Sequence, residues 1–79
     1  MKILLFAHAA TAAGHDEVVI DIPDGVTVSA CRRALADACP SLRDVLSTCA
    51  IAINRRVVSD DATVTAGDEV AVLPPVSGG

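Results

Sequence analysis

Only one stretch of this chain, residues 28–39, has the length and spacing of a helix able to cover a sheet; the apolar runs flanking it are strand-length. Thr27 supplies an N-cap. Val28, Cys31, Leu35 and Ala38 fall at helical spacing on one face, leaving Arg32, Arg33 and Asp37 toward water. Pro40 ends the helix at the preceding residue, and Ser41 to Leu46 predicts one or two further turns. A lone main helix must bury its apolar stripe against a sheet, and 79 residues allow one domain.

The remaining runs predict that sheet. Lys2 to Ala7 is apolar after its first residue and reads as a central strand buried on both faces. Ala9 to Asp16 is Ala-rich but interrupted by Thr11, Gly14 and His15; it allows a helical turn and favours a loop. Glu17 to Ile22 is a second strand, stopped by Pro23-Asp24-Gly25, and the short link makes the pair antiparallel. Cys49 to Asn54 is a strand, Asn54-Arg55-Arg56 a turn, and Val57-Val58 a brief edge strand. Asp60 and Asp61 read as solvated loop charges. After the Thr65-Ala66-Gly67-Asp68 turn, Glu69 to Leu73 is the last strand, with the buried first strand as its parallel partner. The expected fold is α+β: a ubiquitin-like β-grasp of about five strands and one main helix, over residues 1–73. Residues 74–79 are expected to form a flexible, protruding tail.

Composition narrows the chemistry. The chain is 52% hydrophobic but has one Phe and no Trp or Tyr, so its core must be aliphatic and closely interdigitated. A net charge of −4 excludes a basic face for nucleic acid and suits a partner with a basic docking face. Cys31, Cys39 and Cys49 are odd in number and form no CxxC; with no signal peptide before the strand, they predict a reducing cytoplasm and three small core hydrophobes. No apolar run approaches the roughly 18 residues of a membrane span. His8 and His15 are separated, Arg55-Arg56 and Asp68-Glu69 read as solvated, and no triad, phosphate loop or metal cluster is legible. No bound cofactor or metal is expected, and no catalytic side chain.

What remains is the end of the chain. Pro74 and Pro75 fix φ and remove donors, so they end the strand. Val76, Ser77, Gly78 and Gly79 complete a segment that can reach roughly 20 Å at ~3.3 Å per residue. Glycine can enter a channel only wide enough for backbone. The carboxylate of Gly79 is an acyl group awaiting activation.

Asn54 to Val58, Ala66-Gly67-Asp68-Glu69-Val70 and Pro74-Pro75-Val76-Ser77-Gly78-Gly79 resemble the small, sulfur-carrying subunits of molybdopterin synthase, as do the opening run Met1 to Ala7 and the chain length. Val72 and Leu73 stand where relatives often carry aromatics. The resemblance implies that an adenylating partner activates Gly79 with ATP. A sulfur donor then makes a thiocarboxylate, and the loaded tail enters the large synthase subunit to build the dithiolene of the pterin cofactor. It also implies a heterotetramer. The strand that leads into the tail should dock on the large subunit through an aliphatic patch of Phe6, Val58 or Leu73, Phe6 being either core or anchor. Sulfur carriage for a thiazole or amino acid, a protein modifier joined to lysines, and an interaction domain with an inert tail remain open alternatives.

Overall fold

The structure, a computed structural model, describes residues 1–75. Its elements are β1 (Lys2–Leu5), α1 (Ala7–Ala13), β2 (Glu17–Val19), β3 (Val26–Thr27), α2 (Val28–Ala38), a 3-10 turn (Pro40–Leu42), α3 (Arg43–Leu46), β4 (Ala50–Ile53), β5 (Arg56–Val58), β6 (Thr63–Val64) and β7 (Val70–Leu73). Five strands form a mixed sheet in the order β2-β1-β7-β4-β5, and β3 and β6 make a separate two-stranded ribbon. The expected parallel pairing is present: Ile3, Leu4 and Leu5 of β1 lie opposite Val70, Ala71 and Val72 of β7. β1–β2, β4–β7 and β4–β5 are antiparallel. The fold is the ubiquitin-like α+β arrangement read from the sequence.

Alternation along each strand divides the sheet into a helix-covered face and an open one. Ile3, Leu5, Ile51, Val70 and Val72 point under the helices and are buried. α2 meets them with Val28, Cys31 and Leu35, while Leu42 and Leu46 close the end. No aromatic ring contributes to this buried set, so β-branched and γ-branched side chains fill it. The Thr27 hydroxyl caps α2, accepting from the Ala30 amide at 3.2 Å. Ala38 lies exposed in the last turn instead of facing the sheet.

Four expectations are corrected. Ala7–Ala13 is a helix, not a loop. Gly14, which looked like a breaker, is its stop: at φ 78° it donates its amide to the carbonyls of Ala10 and Thr11, and Ala9 is buried in the core. β1 is not buried on both faces, because no element among the described residues covers the open side, where Leu4 is half-buried and Phe6 exposed. Arg32 does not face water. Its Nη1 donates to the carbonyls of Leu46 at 2.7 Å and Cys49 at 2.8 Å, and its Nε meets Asp60 Oδ1 at 3.0 Å. Asp60 is therefore a bridge partner and not a free loop charge.

One guanidinium thus satisfies the end of α3 and the approach to β4 while tying both to the loop before β6. Arg32→Ala leaves two carbonyls short of a donor and should cost about 2–3 kcal/mol in urea unfolding. Arg32→Lys should recover only part of it, since a point ammonium cannot reproduce the planar fork. A loss of less than about 0.5 kcal/mol in the Ala variant would contradict the clamp.

Candidate functional site

The terminal segment leaves the middle of the sheet. β7 is paired on both edges, by β1 and β4, and its Val70 and Val72 are buried. Leu73, opposite Ala50, is the last paired residue; Pro74 is half-buried and Pro75 exposed. A strand fixed on both sides gives whatever follows it a rigid base. Val76, Ser77, Gly78 and Gly79, which carry the expected chemistry, lie outside the described residues.

Register defines the open face beside that exit. Leu4, Ala71, Ala52 and Val57 form one row across four strands, with Leu73 and Ala50 in the row beyond. Small Ala side chains along the middle leave a groove of ≈ 310 Å³. Leu4, Ala52 and Ala71 line its length, Phe6 and Leu73 the end nearest the tail, and Arg55 and Glu69 the other. Phe6 is 47% exposed, which places it on this face and not in the core. Val58 is placed differently from expectation: it lies opposite Ile51 and packs against the core, while Val57, opposite Ala52, is 66% exposed on the open face. Two adjacent valines give no sign of which one faces out. Only the register to Ile51 decides it.

Charge sits at the rim. Lys2 Nζ lies 3.1 Å from Glu17 Oε2, and Arg55 Nε 3.8 Å from Glu69 Oε2. The β4–β5 turn has both central residues in the left-handed region, Asn54 at φ 52° and Arg55 at 70°. Asn54 is held there from the Thr65–Glu69 segment. Its amide donates to the Glu69 carbonyl at 2.8 Å, its Oδ1 accepts from the Glu69 amide at 2.9 Å, and its Nδ2 donates to Asp68 Oδ1 at 3.0 Å. Asp68 Oδ2 accepts from the Thr65 amide at 2.8 Å and hydroxyl at 3.0 Å. These donors, the Thr65 amide foremost and then Asn54, hold the Asp68 carboxyl below its usual range. Asp68, read as solvated, is a turn-locking residue. Its type II-like turn places Gly67 at φ 90°, where a side chain would be strained.

The cysteines stand apart from this face. Cys31 and Cys49 are buried, Cys39 is half-buried, and all three are free thiols. Burial pushes the Cys31 and Cys49 thiols up, against the opposing charge of Arg32, and Cys49 Sγ donates to the Val45 carbonyl at 3.1 Å. Neutral buried thiols are poor nucleophiles. Replacing all three by Ala should lower stability by about 1 kcal/mol per buried thiol yet leave intact, by mass spectrometry, the sulfur loading that the resemblance implies for the C-terminus. Loss of loading in a folded Cys31→Ala protein would implicate the thiol. His8 and His15 are exposed, one on α1 and one beyond it. Among the described residues no cluster of three His, Cys, Asp or Glu side chains could hold a metal ion.

Residues 3–79 match the ThiS family. Over 79 residues the chain is 38% identical to a protein named molybdopterin synthase sulfur carrier subunit in Arabidopsis thaliana, covering all of this chain and 82% of that one. The Escherichia coli (strain K12) protein of the same name is 39% identical, with 100% and 99% covered. Among solved structures, SAMP1 from Haloferax volcanii superposes with a TM-score of 0.87 at 31% identity, covering 99% of this chain and 97% of that one. A complex of subunits 1 and 2 of molybdopterin-converting factor from Helicobacter pylori contains a chain that superposes with a TM-score of 0.69 at 25% identity, with 99% and 96% covered.

Proposed function

The chain belongs to the ThiS family, and on that premise we propose that it is the sulfur carrier subunit of molybdopterin synthase. The observation that carries this reading is similarity to relatives of that name along the whole chain, through the terminal Gly78-Gly79. A carboxylate is a poor acyl donor because its leaving group would be oxide. An adenylating partner enzyme therefore joins Gly79 to AMP at the expense of ATP, releasing pyrophosphate. A sulfur donor protein displaces AMP and leaves a thiocarboxylate. That sulfur is already anionic at neutral pH and needs no base beside it. The loaded end then enters the large subunit, whose residues carry the catalysis, and gives sulfur to the cyclic pterin precursor of the dithiolene. The small chain itself binds no cofactor and contributes reach, shape and a docking surface.

The open sheet face is that surface, with Phe6, Leu73 and Val57 as its apolar centre and Val58 left to the core. The Helicobacter pylori complex supports a large-subunit partner. Two small and two large subunits, working in the cytoplasm, complete the proposal; no helix among the described residues is long and apolar enough to cross a membrane. Intact mass spectrometry of the chain purified from its own cells tests it. Replacement of one oxygen by sulfur at Gly79 is the expected result, and a chain that never carries it during cofactor synthesis would refute the role.

The likeness to SAMP1, a small archaeal modifier protein, favours one second reading, in which the activated Gly79 is passed to a lysine of another protein. The same spectra separate the two, because that reading requires isopeptide adducts instead of a thiocarboxylate.

A further inference from the structure

We propose that Arg55 is a specificity-determining contact of this docking face, where its guanidinium receives a carboxylate of the synthase large subunit; the inference rests on the carrier reading above. A two-residue hairpin turn with both residues left-handed strongly favours glycine at the second position. Here that position is Arg55, at φ 70°, so its Cβ carries a steric penalty glycine would avoid. The penalty is sustained because Asn54 is bound through three hydrogen bonds to Asp68 and Glu69, which overdetermine the turn.

Among the described residues, Arg55 gains only one weak contact for this position. Its side chain is 89% exposed, and its ion pair to Glu69, at 3.8 Å, is a loose surface pair of little stabilising value. Arg32 shows the opposite use of the same side chain, with acceptors met at 2.7, 2.8 and 3.0 Å. A strained residue that presents an open, planar set of donors points outward for its purpose.

The place agrees. Arg55 closes the end of the groove farthest from the tail, and the apolar floor runs from it along β7 toward Phe6 and Leu73. Arg55 and Lys2 are the cations of that rim, and of the two Arg55 lines the groove itself. Within a partner face that is otherwise basic, the planar guanidinium of Arg55 selects a single carboxylate, which it matches bidentately. Rim charges act mainly on association rate and partner choice, so this contact would set the register of the sheet face before the tail is seated.

Binding of the full-length chain to the large subunit of the same organism, measured by calorimetry at low and high salt, tests this alongside thermal melts. Arg55→Gly restores the favoured Asn-Gly turn and should melt no lower than wild type, yet bind about tenfold more weakly. Arg55→Glu should bind more weakly still, and the wild-type advantage over both should shrink at high salt. A structural role predicts the reverse, with Arg55→Gly melting lower and binding unchanged, and that result overturns the proposal. So does equal affinity of folded Arg55→Glu and wild type, or a defect seen only with the adenylating enzyme. If wild type itself fails to bind the large subunit, the carrier reading falls, and this inference with it.

Discussion

Deleting Gly79 should reduce sulfur transfer by more than about a hundredfold while the thermal melt stays where it was. The variant still ends in a carboxylate, on Gly78, but that group falls about 3.3 Å short of where the full chain delivers it. Misplacement of reacting atoms by even ~1 Å can cost about a hundredfold. Gly78→Leu should fail as severely for a different reason, because a branched side chain must pass where backbone alone fits. The fold should ignore both changes, since among the described residues the buried core extends no further along the chain than Val72. A reconstituted synthase assay and a melt on the same preparations decide the matter. Full activity in folded Gly78→Leu would remove the narrow-channel argument.

Leu73→Asp should weaken binding to the large subunit by about a hundredfold or more. The change removes a leucine whose burial in an interface is worth roughly 1.5–3 kcal/mol and asks a carboxylate to leave water beside Phe6. Its cost to the isolated domain should be smaller, because Leu73 is only half-buried there. Val57→Asp should act in the same direction on binding, whereas Val58→Asp should strike stability, since Val58 packs against the core. The isolated tail peptide of residues 74–79 should bind poorly, because the apolar sheet face supplies the surface that offsets ordering the segment. If the peptide bound as tightly as the whole chain, the sheet would be irrelevant to recognition.

Much of this architecture was legible in the sequence for a physical reason. Val28, Cys31 and Leu35 repeat with the period of a helix, and β1, β4 and β7 are short apolar runs closed by turn residues, so period and punctuation agree. The parallel partner of β7 followed because the last strand needs a partner and the apolar first strand is the natural candidate, even though one face of that strand proves open. Illegible were the features set by contacts between distant segments. α1 has neither a polar N-cap nor an acidic first turn or basic last turn, only alanines interrupted by His8 and Thr11, and a Gly14 stop. β3 and β6 are two residues each, too short for any period. Arg32 looks like any surface arginine of a helix until Leu46, Cys49 and Asp60 converge on it. At the site, the terminal Gly78-Gly79 was visible at once, whereas the open face depended on register, which turned Val57 outward and Val58 inward.

The parallel pairing of β1 with β7 joins the first strand of the chain to the last. β7 also sits at the centre of the sheet, so β4 and β5 are separated from β1 and β2 until it is in place. On the ribosome, then, the sheet cannot close while its C-terminal strand is still inside the exit tunnel. Contacts of such long sequence separation form late, and closure of the sheet waits on the emergence of β7. The consequence is a check on how far synthesis has gone: a product terminated before β7 lacks the central strand as well as the terminal glycines. It presents no finished groove with which to occupy the large subunit unproductively.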